Sequence, residues 1–180
     1  MELIKKYENF IKKDYKYGCI FLDLDISNWN NIIEKIDSDD LYNKKDPKYG
    51  IQKRPHITIL WGINSEVKDS DVSNIINKYK YEQFDIKLSN IDIFRNDNFD
   101  VLKFSVDNND TLIKFNNELS NLPNSNEFDY QPHITICYLE KGKGDKYLSE
   151  NFKINSLEVK SITYSNPKGQ ELKFDIYNQI

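Results

Sequence analysis

The chain of 180 residues contains two histidines, and they hold matching places in two near-identical heptads, Arg54-Pro-His-Ile-Thr-Ile-Leu60 and Gln131-Pro-His-Ile-Thr-Ile-Cys137. Along a strand the side-chain period is two, so each motif puts one imidazole and one hydroxyl on the same face and its isoleucines on the other. A phosphodiester set between two such faces meets a complete acid–base apparatus. One imidazole takes the proton of the nucleophile and the other protonates the leaving oxygen, both near neutral pH because imidazole titrates near 6.5. The hydroxyls of Thr58 and Thr135 donate to the non-bridging oxygens as charge develops there. His56, Thr58, His133 and Thr135 are therefore the candidate catalytic residues, with the acid and base roles exchangeable between the two imidazoles.

A lone strand histidine is ordinarily structural. Two in duplicated motifs, with no third in the chain, point instead to a shared site. A metal site is the competing reading, but two histidines 77 residues apart, with no HExxH or cysteine pattern, lack ligand spacing. No metal and no cofactor are expected.

These motifs need elements that bring them together. Apolar spacing at Leu3, Ile4, Tyr7, Phe10 and Ile11 predicts an amphipathic helix over residues 2–13. A strand over 17–25 follows, then a helix from a Ser27 cap to Ile36, a polar loop, and the first motif strand from Pro55 to Trp61. A helix over 69–79 and a strand over 84–94 complete the first half. The second repeats the order with a strand at 99–107, a helix at 110–122, a loop, and the motif strand at 132–139. Asn96-Asp97-Asn98 reads as a turn joining antiparallel neighbours. The expectation is a single α+β domain of two duplicated lobes, about 17–94 and 99–177, related by a pseudo-twofold axis, with antiparallel sheets lining a central cleft and helices outside.

By parity Tyr17 falls on the polar side of the first strand, as a base-stacking candidate, and Lys103 and Ser105 on the equivalent side of its partner, Lys103 as a phosphate ligand. In the last strand Leu172, Phe174 and Ile176 face the core, leaving Glu171, Lys173, Asp175 and Tyr177 opposite; Glu171, Lys173 and Tyr177 join the substrate-binding candidates. Trp61 and Tyr138 fall on the isoleucine side, which assigns them packing or loop roles.

The paired motifs resemble those of the two-histidine (2H) phosphoesterase superfamily. Tyr17-Gly-Cys-Ile-Phe-Leu-Asp, Asp40-Leu-Tyr, Tyr49-Gly-Ile, Pro55 to Gly62, Phe99 to Phe104 and Pro132 to Leu139 further resemble the phage anti-CBASS nucleases, which degrade cyclic oligonucleotide signals of bacterial antiphage defence. The resemblance implies a bilobal fold, metal-free hydrolysis of 3′–5′ bonds in cyclic di- and trinucleotides, His56 and His133 as acid and base, and Thr58 and Thr135 as phosphate ligands. The alternatives are an RNA-end-processing 2H enzyme acting on 2′,3′-cyclic phosphates or 2′–5′ linkages, and a nucleotide-binding module without catalysis.

Composition narrows the partners. A net charge of −4, with no Lys/Arg-rich helix or tail, argues against binding duplex nucleic acid and allows a small anion in a locally positive cleft. The two cysteines are too few for a disulfide framework and fit reduced, buried thiols in a cytoplasm, that of the bacterial host if a phage encodes the chain. No apolar run has the roughly 18 residues needed for a membrane span.

Overall fold

Alternating apolar residues in each half build strands whose buried faces meet on one side, and the computed structural model shows how they join. It describes residues 16–43, 45–46, 48–107 and 109–177. The helix expected over 2–13 lies outside the described residues. The strands are β1 (Gly18–Ile26), β2 (His56–Ile63), β3 (Leu88–Arg95), β4 (Phe99–Val106), β5 (His133–Glu140), β6 (Leu157–Ser165) and β7 (Glu171–Asp175). The α-helices are α1 (Trp29–Ile33), α2 (Asp69–Tyr79) and α3 (Asp110–Leu119). One antiparallel sheet runs in the order β3-β4-β5-β2-β1-β6-β7. The α+β architecture with its two-part sheet matches the sequence reading.

α1 is shorter than its apolar pattern: Asn28, not Ser27, precedes it, and no side chain caps it. Without a side-chain cap, so short a helix has little to hold a further turn. α3 carries the cap that α1 lacks, the Asn109 side chain accepting from the Leu112 N–H at 3.0 Å. α2 presents Val72 and Ile76, and α3 presents Leu112, Phe115 and Leu119, to the isoleucine side of the sheet. There Ile57, Ile59, Ile134 and Ile136 are all buried.

The duplicated halves are interleaved rather than side by side. β3, the last strand of the first half, pairs with β4, and β6, its counterpart in the second, crosses back to β1. Reflected about the centre, the order reads β5-β4-β3 on one side and β2-β1-β6 on the other, with β7 as an added edge. The spatial halves therefore differ from the sequence segments 17–94 and 99–177: β3 of the first segment joins β4 and β5, and β6 of the second, with β7 beyond it, joins β1 and β2.

At the centre β2 and β5 meet through one register pair, Ile57 with Ile134, and then run apart. Each uncovered strand flank is taken by the loop that precedes the other motif. Residues 41–42 and 50–52 lie along β5, through Gln52 N–H to Ile136 O at 2.9 Å and Tyr138 N–H to Gly50 O at 2.9 Å. Residues 123–125 lie along β2, through Ser125 N–H to Gly62 O at 2.8 Å. Gly62 has φ +91°, and a Cβ there would sit 3.0 Å from the Asn126 nitrogen, so a glycine permits this approach.

Candidate active site

One residue either side of the Ile57–Ile134 pair, the antiparallel register aligns His56 with Thr135 and Thr58 with His133. Directly opposed residues share a face, so the seam between the half-sheets gathers all four side chains on one surface. His56 and His133 are diagonal neighbours across this seam, near enough for the charge of His56 to lower the pKa of His133. The sequence expectation of two motif strands adjacent and central is met.

Both imidazoles are held the same way. Nδ1 of His56 lies 2.9 Å from the Arg54 carbonyl and Nδ1 of His133 lies 2.7 Å from the Gln131 carbonyl. A carbonyl only accepts, so at His133 Nδ1 carries the proton and Nε2 keeps a free lone pair; at His56 the Arg54 carbonyl favours the same tautomer, although the Gln52 amide nitrogen also lies 3.1 Å from that Nδ1. Gln52 Nε2 also reaches the Arg54 carbonyl, at 3.1 Å.

The shell around each ring repeats as well. Phe21 of β1 lies 5.1 Å from the His56 ring and Phe94 of β3 lies 4.8 Å from the His133 ring. A cation rests on each phenyl, Arg54 at 5.0 Å over Phe21 and Lys103 at 4.3 Å over Phe94. Each cation is anchored by a carboxylate. Arg54 donates to Asp23 through Nε at 2.6 Å and Nη2 at 2.9 Å, and Lys103 donates to Asp92 at 2.9 Å. Two fixed cations thus flank the seam of an acidic protein.

The details differ between the two sides. Asp23, nearly buried, is the cross-strand neighbour of His56 and also accepts from Thr163 at 2.6 Å and Ser161 at 2.9 Å. Burial alone would raise its pKa, but the Arg54, Thr163 and Ser161 hydrogen bonds outweigh that and hold it below the usual carboxylate value. Beside His133 the equivalent position is Ser105, which accepts from Lys103 at 2.6 Å. Burial lowers both imidazoles below the ordinary value. The Arg54 carbonyl and Asp23 pull His56 partly back, whereas at His133 the Gln131 carbonyl does so against the charges of Lys103 and His56.

The remaining sequence candidates divide. Lys103 and Ser105 lie on the site face, paired in register with Thr135 and His133. Tyr17 borders the site, edge-on to Trp61 at 5.2 Å. Glu171 reaches it only through Arg54, accepting at 3.0 and 3.1 Å. Lys173 shares the face but stands three strands from β2, roughly 14 Å at the usual interstrand spacing. Tyr177 is a correction: it stacks on Tyr81 at 5.5 Å and its N–H bonds to the Lys80 carbonyl, at the end of α2. Strand alternation breaks after β7 ends at Asp175, so parity does not extend to residue 177.

Trp61 and Tyr138 are the second correction. Thr58 and Leu60 are partnered by consecutive β1 residues, Phe21 and Ile20, so Ile59 is an extra residue; Ile136 is likewise extra between Thr135 and Cys137. Each bulge reverses the alternation and returns the aromatic residue to the histidine face. Trp61, Phe128, Tyr130 and Phe94 line a cleft of about 640 Å³ that reaches Thr58 and His133. Sequence reading also passed over Arg54 and Asp23. Arg54 was visible as one of the heptads' two mismatches, against Gln131, and Asp23 as a carboxylate of site-facing parity in β1.

A family model described as the 2′-5′ RNA ligase superfamily matches residues 24–160, a span that holds both motifs. The chain belongs to this superfamily. No curated protein sequence matches this superfamily member. Similar solved structures include a phosphoesterase, 16% identical over 92% of this chain and 99% of that one, with a TM-score of 0.46. E. coli LigT in apo form is 17% identical over 91% and 99%, with a TM-score of 0.47. LigT complexed with 3′-AMP is 16% identical over 91% and 99%, with a TM-score of 0.41. Among the described residues of this superfamily member, no group of three or more His, Cys, Asp or Glu side chains is arranged to hold a metal ion, and no helix is long and apolar enough to cross a membrane.

Proposed function

We propose that this superfamily member is a metal-independent phosphodiesterase that hydrolyses 3′–5′ bonds of cyclic di- and trinucleotide signals, and so counters the bacterial antiphage defence that uses them. The observation that supports a phosphodiesterase reading is the central register, which puts two imidazoles, each with Nδ1 against the carbonyl two residues back, and two hydroxyls on one face of the seam. Arg54 and Lys103 bring N–H donors beside the seam, each already paired with a carboxylate, without a basic surface track. A net charge of −4 suits a compact anion in a cleft of about 640 Å³ better than a long RNA.

The nucleophile follows from the substrate. A ribose 2′-OH is held beside its own 3′-phosphorus, and intramolecular attack carries a large proximity advantage over free water. One imidazole Nε2 removes the 2′-OH proton and O2′ bonds to phosphorus. The P–O5′ bond then breaks, and the other imidazole, protonated, gives its proton to O5′. The product is linear with a 2′,3′-cyclic phosphate, which water opens in a second step. Thr58 and Thr135 donate to the non-bridging oxygens throughout.

The family description favours a second reading, action on 2′–5′ linkages of RNA, and RNA ends with 2′,3′-cyclic phosphates are tested beside it. One panel separates the two. The protein is incubated with EDTA and cyclic dinucleotides, cyclic trinucleotides, 2′–5′ oligoadenylate or cyclic-phosphate-ended RNA, and products are resolved by mass. Fastest turnover of a cyclic substrate is expected; turnover of only 2′–5′ or RNA-end substrates would establish the second reading, and loss of activity in EDTA would overturn metal independence. An all-2′-deoxy cyclic dinucleotide should bind and resist cleavage, and its efficient cleavage would rule out 2′-OH attack.

A further inference from the structure

The pseudo-twofold that repeats the catalytic face also repeats an aromatic pair at each end of it. Trp61 and Tyr138 each stand three residues beyond their motif threonine, returned to the site face by the same bulge. Tyr17 and Phe99 are equivalent too, each four residues before the strand position that faces the motif threonine. The pairs have nearly the same geometry: Tyr17–Trp61 at 5.2 Å and 67°, Phe99–Tyr138 at 5.7 Å and 65°.

What covers the pairs is different. Over Phe99 and Tyr138 the loop before β2 lays two more rings. Tyr42 sits 5.1 Å from Phe99, and Tyr49 sits 5.4 Å from both Phe99 and Tyr138. The four rings fill one another's faces, and each is only partly exposed. On the other side the loop before β5 brings Phe128, which stays 78% exposed, while Trp61 stays 46% exposed. There the approximately 640 Å³ cleft lies open instead of filled. That volume falls within the range of small-molecule sites. Tyr130, on the same wall, has a buried hydroxyl with no hydrogen-bond partner among the described residues.

We propose that the site takes hold of one nucleobase, stacked in the cleft at Trp61 beside Thr58 and His133, and that the Tyr42–Tyr49–Phe99–Tyr138 cluster fills the matching place across the scissile phosphate. The proposal rests on the phosphodiesterase reading for its substrate. The nucleoside on the filled side is held through sugar and phosphate alone, so base selectivity resides on the Trp61 side. The pseudo-symmetric site has a fixed polarity.

Adenosine 5′-monophosphate tests this without needing turnover, because it contains no diester; a protein that binds it as described but cleaves nothing would count against the phosphodiesterase reading alone. Trp29 is buried and Trp61 is exposed, so quenching of tryptophan fluorescence by AMP reports the proposed cleft. Equilibrium dialysis then counts sites. One AMP per chain is expected, with quenching. Trp61→Ala should weaken binding by about 5- to 150-fold, the span of one lost base–aromatic stack, Trp61→Phe should recover most of it, and Tyr49→Ala should change it less than twofold. Two AMP per chain, unchanged affinity in Trp61→Ala, an equal loss in Tyr49→Ala, or no binding at millimolar AMP would each overturn the proposal.

Discussion

Each imidazole in the site holds its Nδ1 against the carbonyl two residues back, and this leaves Nε2 as the nitrogen turned to exchange protons. If both act as proposed, neither replaces the other. His56→Ala and His133→Ala should each lower kcat by about 100- to 10,000-fold on the best substrate of the panel, with circular dichroism unchanged because both side chains stand on the open face. Thr58→Val and Thr135→Val, which remove a donor but no proton-transfer group, should lose less. Residual activity above a tenth of wild type in either His variant would end the acid–base pair. The pH profile carries a sign. Burial lowers both imidazoles, and catalysis needs one neutral and one protonated, so the bell of kcat/KM should be centred below about 6.5. Bound phosphate favours the charged form of a neighbouring imidazole and raises its pKa, so the optimum of kcat should lie at higher pH than that of kcat/KM. A kcat/KM bell centred above 7 would contradict the burial argument.

Among the elements, the two bulges and the loops pressed against them decide which side chains reach the cleft. Gly62 follows one bulge and touches the 124–126 loop, so Gly62→Ala combines an unfavourable positive φ with a Cβ 3.0 Å from a backbone nitrogen. The expected cost is about 2 kcal/mol, a fall in melting temperature of roughly 4–8 °C. A rise in KM should accompany it, because the same loop continues into the wall of the cleft. An unchanged melt and KM would show that the loop moves aside freely. This is also where sequence reading divides. α2 appears over residues 69–79 as its apolar spacing indicates, and the motif isoleucines are buried as period-two counting requires. Trp61 was misplaced because a bulge leaves no mark in composition: Ile59-Leu60 reads as an unbroken apolar run, and only the partner strand reveals the extra residue. Arg54 and Asp23 escaped for a related reason, since their partnership crosses two strands that the sequence does not pair. Asn96-Asp97-Asn98, by contrast, is local chemistry, and the β3–β4 pairing it implied is present.

At the scale of the whole molecule, the exchange of β3 and β6 means that each sequence half borrows a strand from the other. Unfolding should therefore be one transition, with fluorescence of Trp29 and Trp61 and far-ultraviolet circular dichroism losing signal together. Two separated transitions would mean that the halves are independent. The order of motifs is a property of sequence; the crossing of β6 to β1 is not, because pairing between residues 131 to 146 apart, Ile26 with Leu157 and Cys19 with Ser165, is settled by packing. The exchange has a consequence for shorter chains. A polypeptide carrying only β1 to β3 has an outer strand with no partner of its own and a seam edge with nothing opposite. A second copy offers both, in the antiparallel sense that a twofold axis requires. Two copies of residues 16–96 would thus close as a domain-swapped homodimer, with His56 of each copy diagonal to its mate across the axis. Ultracentrifugation of that fragment should show a dimer with no folded monomer, and the present chain can be viewed as such a dimer with its two subunits joined end to end and free to diverge, Arg54 on one side and Gln131 on the other.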